Sequence, residues 1–200
     1  MTSFDELNEQ ISRCMKCDIA RQRTKVVPGE GATDADILFI GEAPGFHEDQ
    51  QGRPFVGQAG QFLDQLLASI GLDRNNVFIA NVIKCRPPGN RDPLPTEMEN
   101  CRPWLNRQIE IINPRMIVTL GRYSMGMYFP GKTISKIHGT GIHRDGRIYF
   151  AMYHPAAALH QRSLQQTLIE DMKKIPSLLA EIKSIPEEKP KPQQLSMFEV

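Results

Sequence analysis

The sequence has little of what marks secreted, membrane-spanning or polyanion-coating chains. No apolar run approaches the roughly 20 residues needed to cross a bilayer, so no membrane partner is expected. The opening stretch MTSFDELNEQISRC lacks both a basic start and an apolar segment, which argues against a signal peptide and for a cytoplasmic location. Charge of one sign is missing too. With 24 basic and 23 acidic residues the formal net charge is +1, so bulk electrostatics neither name nor exclude a nucleic-acid partner. Cysteine is scarce, at four in 200 residues. Structural disulfides are rare in the cytoplasm, so these four read first as metal ligands.

What is present is ordinary globular composition, 40% hydrophobic and 24% charged, at a length that suits one domain. Four apolar, β-branched runs read as buried parallel strands: Asp36–Ile40, Val77–Val82, Met116–Leu120 and Ile148–Tyr153. Between and around them, helical spacing predicts helices over Asp5–Ser12, Gln58–Ile70, Pro95–Ile112 and Leu164–Ile182. Strands alternating with helical crossovers predict an α/β fold, a three-layer α/β/α sandwich around a central, mainly parallel four-stranded sheet. In such folds the site lies beyond the carboxyl ends of the strands. Here those ends carry GEAPG, NVIKCRPPGN, GRYS and HPAA. Gly141, Asp145 and Gly146 mark a hairpin turn leading into the last strand. From residue 184 the chain turns proline-rich and charged, which predicts a domain over 1–183 and a disordered tail over 184–200.

Local charge is less even than the total. Arg13, Lys16, Arg21, Arg23 and Lys25 face only Asp18 in their segment; Lys132, Lys136, Arg144 and Arg147 face only Asp145. Such patches can neutralise phosphates, or can be plain solvated surface.

Cys14 and Cys17 form a C-x2-C pair, whereas Cys85 and Cys101 are spread apart. Four thiolates suit an iron–sulfur cluster or structural zinc, and unrelated free cysteines stay open. The remaining motifs are individually weak. Gly41–Gly45 after the first strand offers backbone amides to a ligand, or is a turn. Phe55, within GRPFVGQAG, offers a flat face to a base, or is core. Asn81 ends an apolar strand, where its amide can read the N3–H and O4 edge of uracil or can tie a loop. His154 of HPAA can support an anionic leaving group, or cap a helix.

Taken together and in order, C-x2-C, GEAPGFHED, GRPFVGQAG, NVIKCRPPGNR, CRPWL, LG and HPAA resemble family 4 of the uracil-DNA glycosylase superfamily, the iron–sulfur branch, from about Cys14 to Ile182. The resemblance implies a monofunctional glycosylase that removes uracil from DNA and leaves an abasic site. It implies a [4Fe–4S] cluster on Cys14, Cys17, Cys85 and Cys101. Phe55 would stack on the base and Asn81 would bond its edge. The Gly41–Ala43 backbone would help hold it, and His154 would face O2. Of the motif carboxylates, Glu42 and Asp49 are expected to handle charge and water, and Glu48 to shape the pocket. Leu159 is the expected wedge into the duplex, with His160, Arg162 and Ser163 near phosphates. Relatives that trap themselves on DNA carry an extra basic, His-bearing loop after the strand of Asn81. This chain has the shorter CRPPGNRDPLP there, so turnover is expected. In the tail, Gln194, Leu195, Ser196, Met197 and Phe198 resemble the peptide by which bacterial proteins dock on the polymerase sliding clamp, which points to a bacterial source, or the tail is inert; a nucleoid-associated monomer is expected. Two other functions stay open: a superfamily glycosylase with shifted specificity, for example for hypoxanthine, and a non-catalytic iron–sulfur DNA-binding accessory protein.

Overall fold

The computed structural model describes residues 3–184; the tail peptide Gln194–Phe198 lies outside the described residues. In chain order the strands are β1 (Glu30–Gly31), β2 (Ile37–Gly41), β3 (Phe78–Asn81), β4 (Met116–Leu120), β5 (Thr140–Arg144) and β6 (Arg147–Met152). They join in the order β1-β3-β2-β4-β6-β5. The inner four strands are parallel and are the four apolar runs of the sequence. The two edge strands pair antiparallel and extend the expected four-stranded sheet to six. The β5–β6 hairpin turns at Asp145–Gly146, where the sequence places it.

The helices are α1 (Phe4–Ser12), α2 (Phe46–Gln51), α3 (Gln58–Ala68), α4 (Pro95–Ile112), α5 (Arg122–Tyr128), α6 (Ile134–Ile137), α7 (Pro155–His160), α8 (Ser163–Met172) and α9 (Ile175–Ser184). The helix expected over Leu164–Ile182 is therefore two, α8 and α9. Pro176 lies in the first turn of α9, a position that suits proline at a helix start but not inside a continuous helix.

Side chains alternate across a strand, so each inner strand feeds two cores. Leu38, Ile40, Phe78, Ala80, Ile117, Tyr149 and Ala151 pack with Leu105, Ile109 and Ile112 of α4 and Met125 of α5 on one face. Ile37, Phe39, Ile79, Val118, Phe150 and Met152 pack with Leu63, Leu66 and Leu67 of α3 and with Leu168 and Met172 of α8 on the other. This is the three-layer sandwich. Because the inner strands are parallel, Gly41 and Asn81 come level in register, and His154 follows β6 on the same rim.

Candidate active site

Three side chains from separate motifs meet at this rim. The Phe55 ring lies 5.4 Å from the His154 ring, with 25° between their planes. Both the Phe55 ring and Asn81 Oδ1 press on Gly41. A Cβ there would lie 2.4 Å from Asn81 Oδ1 and 2.6 Å from the ring, so no larger residue fits without moving one of them. Asn81 is 2% exposed, and its Oδ1 has no hydrogen-bond partner. Among the described residues, Asn8 Oδ1 is the other such buried side-chain atom. A buried acceptor without a donor is costly, and such atoms are often completed by a ligand or water.

His154 caps α7 with its Nδ1, which accepts from the Ala156 amide at 3.1 Å. That acceptor role leaves the proton of a neutral ring on Nε2. Withdrawal from water pushes the ring's pKa down to about 4, against the smaller opposing pull of Glu48. His154 is thus a neutral N–H donor over the physiological range.

The three carboxylates of the GEAPGFHED segment part company. Glu48 is spent on backbone: Oε2 accepts from Gly45 N at 3.1 Å, and Oε1 from Val56 N and Gly57 N at 2.9 and 3.0 Å. It therefore ties the start of α2 to the residues that follow Phe55. Glu42 follows Gly41 directly. Partial burial and the nearby Asp92 hold its carboxyl above the usual range, with Arg122 opposing. Asp49 is directed elsewhere. It is buried, its Oδ1 accepts from Thr24 N at 2.9 Å, and its charge reaches Cys85. It anchors the N-terminal segment.

Beyond His154, the residues expected to meet DNA lie on one run at the rim. Leu159 is 43% exposed, a large apolar side chain facing solvent at the end of α7. His160 and Arg162 are exposed, and Ser163 opens α8 with its hydroxyl accepting from Gln161 Nε2 at 3.0 Å.

The family model described as Uracil DNA glycosylase superfamily matches residues 28–175. Relatives named Type-4 uracil-DNA glycosylase agree over most of both chains. That of Sulfurisphaera tokodaii is 48% identical over 190 residues, 89% of this chain and 86% of its own. That of Archaeoglobus fulgidus is 46% identical, covering 89% and 94%. That of Thermotoga maritima is 43% identical, covering 86% and 93%. The chain belongs to the uracil-DNA glycosylase superfamily, in its type-4 branch. Relatives come from archaea and bacteria alike, so they lend nothing to the bacterial source expected from the tail peptide.

Family membership brings the cysteines into focus. Cys14, Cys17, Cys85 and Cys101 line one small cavity with Arg23, Lys84 and Trp104. Two sulfurs already receive N–H donors: Arg23 Nη1 to Cys85 Sγ at 3.1 Å, and Trp104 Nε1 to Cys14 Sγ at 3.2 Å. Burial pushes the thiols of Cys17 and Cys85 up, and that of Cys101 up to about 11. Among the described residues no three His, Cys, Asp or Glu side chains gather as ligands of one ion. Four soft donors around a shared space, with hydrogen bonds to sulfur, fit a thiolate-held cluster.

Lys84 joins the two sites. It is fully buried, donating to the Asn81 carbonyl at 3.0 Å and to Gln108 Oε1 at 2.6 Å, and it also borders the cysteine cavity. Sequence reasoning missed Lys84 and Gln108. A lysine inside a loop motif reads as surface, and nothing in the pattern shows that helix α4 closes over it.

Proposed function

We propose that this chain is a monofunctional uracil-DNA glycosylase that hydrolyses the N-glycosidic bond of uracil in DNA and leaves an abasic site. The observation that carries this reading is the orphan Asn81 Oδ1, buried beside the Phe55 ring and one ring away from the His154 donor. Uracil presents an N3–H donor beside an O4 acceptor, so one asparagine amide satisfies both. Cytosine presents an unprotonated N3 and an N4 amino group, which would leave Oδ1 and the amide NH2 facing like groups.

The base must leave the stack to reach this pocket. With the ring on Phe55, the C1′–N1 bond breaks and its electron pair passes to the base. His154 Nε2–H then stabilises charge developing on O2 without transferring its proton. The sugar carbon becomes cationic and takes a water molecule, which gives up a proton. Glu42 is the carboxylate proposed to stabilise that cation and receive the proton; Asp49, occupied by Thr24 N, is not assigned this role. Glu48 shapes the pocket through its three backbone bonds. Leu159 fills the space left by the flipped nucleotide, with His160, Arg162 and Ser163 beside phosphates. The loop after β3 carries no histidine between Val82 and Leu94, in keeping with turnover.

Cys14, Cys17, Cys85 and Cys101 would hold a [4Fe–4S] cluster. When bound, it supplies iron–thiolate bonds that fasten the segment after α1 to the β3–α4 loop and α4. The tail peptide Gln194–Phe198 would tether the enzyme to a sliding clamp, on the strength of its sequence alone.

The test is a labelled oligonucleotide with one uracil, incubated with the protein and then treated with alkali, beside matched duplexes carrying hypoxanthine, thymine or no lesion. Strand cutting that needs alkali and is confined to uracil supports the reading. Cutting at hypoxanthine instead moves the specificity, and binding without cutting moves the function to an accessory role.

The state of His154 gives a second expected result. Its pKa lies below the ordinary 6.5, so it is already neutral at pH 5 and loses that form only as pH falls through about 4. The pH profile of kcat/KM should show no His154 limb between pH 5 and 8. An acid limb near 6.5 that vanishes in His154→Gln would refute the neutral-donor role.

A further inference from the structure

We propose that Arg74 is a positioning residue that sets the Phe55 ring at the height the base requires. This rests on the uracil-glycosylase reading above. Phe55 has φ 52°, in the left-handed region that a bulky side chain adopts only under constraint. Two features supply the constraint. Gly60 of α3 sits against the Phe55 carbonyl, where a Cβ would lie 1.7 Å from the oxygen, so the helix admits that carbonyl only because residue 60 is glycine. Arg74 then grips the same backbone from the other direction. Its Nη2 donates to the Phe55 carbonyl, and its Nη1 donates to the Pro54 carbonyl at 2.9 Å.

The guanidinium is itself held in place. Nη1 also meets Glu30 Oε1 at 2.6 Å, and Nε meets Asp64 Oδ1 at 2.7 Å. Glu30 is braced in turn by Arg53, whose Nε lies 2.7 Å from its Oε2. One planar cation thereby spans the edge strand β1, helix α3 and two successive carbonyls. Those carbonyls belong to Pro54 and to Phe55, whose ring presses on Gly41 and stacks with His154. Fixing the carbonyl of a residue in a sparsely populated conformation fixes where its side chain projects. A lysine carries one compact charge and could not hold this fork of four bonds.

The test is a double-mutant cycle on uracil excision by the full-length protein, with kcat and KM measured for wild type, Arg74→Met, Arg74→Lys, Phe55→Ala and Arg74→Met/Phe55→Ala. Visible absorbance and Tm are recorded for each. Arg74→Met should lower kcat/KM by about 10- to 30-fold, and Arg74→Lys should recover only a minor part. In the Phe55→Ala background the same change should cost less than about 2-fold, because the ring it positions is gone. Equal losses in both backgrounds would mean that Arg74 acts on the fold at large, and would overturn the proposal. If Arg74→Met does not fold, Asp64→Asn takes its place, with a smaller loss that should also vanish without Phe55 and that overturns the proposal if it persists. Wild-type protein that cuts no uracil would overturn the glycosylase reading and this proposal with it. Wild-type cutting with additive losses would overturn this proposal alone.

Discussion

Asn81→Ala should lower kcat/KM for uracil by about two to three orders of magnitude and move Tm by no more than a few degrees. The two halves of this result have one cause. Asn81 Oδ1 is buried with no protein donor in reach, so no group of the folded chain depends on it for a hydrogen bond. Removing the amide oxygen strands no partner, and the loss is limited to packing. In the proposed transition state the same amide pairs with the base edge, and its loss would leave uracil's polar groups facing an apolar gap. Losing a preorganised partner of this kind costs about 3–4 kcal/mol, which is the predicted rate factor. Steady-state kinetics and a thermal melt on the same preparations decide it. A large fall in Tm would mean that Asn81 is a structural tie, and a near-normal rate would remove it from the site.

Cys101→Ser should abolish the brown absorbance expected of an iron–sulfur protein and lower Tm by about 10 °C or more. The four cysteines come from the segment after α1, the β3–α4 loop and α4, so a cluster held by all four would tie the N-terminal segment to a part of the chain separated from Cys17 by 67 residues. Removing one ligand would take away a metal–thiolate bond of the proposed cluster, while burial already disfavours the thiolate forms of Cys17 and Cys85. Structural metal sites contribute folding free energy directly, and several kcal/mol at this chain length corresponds to a shift of roughly this size. Uracil excision should fall with it. Lys84 borders the cysteine cavity and also holds the Asn81 carbonyl, so a loosened cavity would free the strand end proposed to read the base. Iron and zinc analysis of the wild type, beside melts of both proteins, checks this. A colourless wild type with stoichiometric zinc would replace the cluster with a zinc site, and an unchanged Tm in the variant would remove the structural role.

The inner sheet was legible because buried parallel strands are continuous apolar runs, and each of the four ends within a residue or so of its expected limit. The edges were not. β1 has two residues, too few for any periodicity, and every residue of β5 is exposed, so neither carries a hydrophobic signal. Phe55, Asn81 and His154 could be singled out because each sits in a motif at a strand exit or in a glycine-rich loop. The roles of the acidic residues could not. Glu48 and Asp49 are neighbours, and one step along a helix turns a side chain by about 100°, so one meets the Val56–Gly57 backbone while the other meets Thr24.

By itself the sequence determined the α/β class, the order of the inner strands and helices along the chain, the rim on which the motifs gather, and the residues proposed to read and release a base. Those follow from hydrophobic period and local motif, which are properties of neighbours in the chain. Tertiary structure alone decided that Arg74 donates to the Pro54 and Phe55 carbonyls, that Lys84 lies between Asn81 and the cysteines, that Asp49 accepts from Thr24 N, and that His154 Nδ1 accepts from Ala156 N. Each depends on which groups come within hydrogen-bond reach and how much water they exclude, and neither distance nor desolvation is written in a linear pattern.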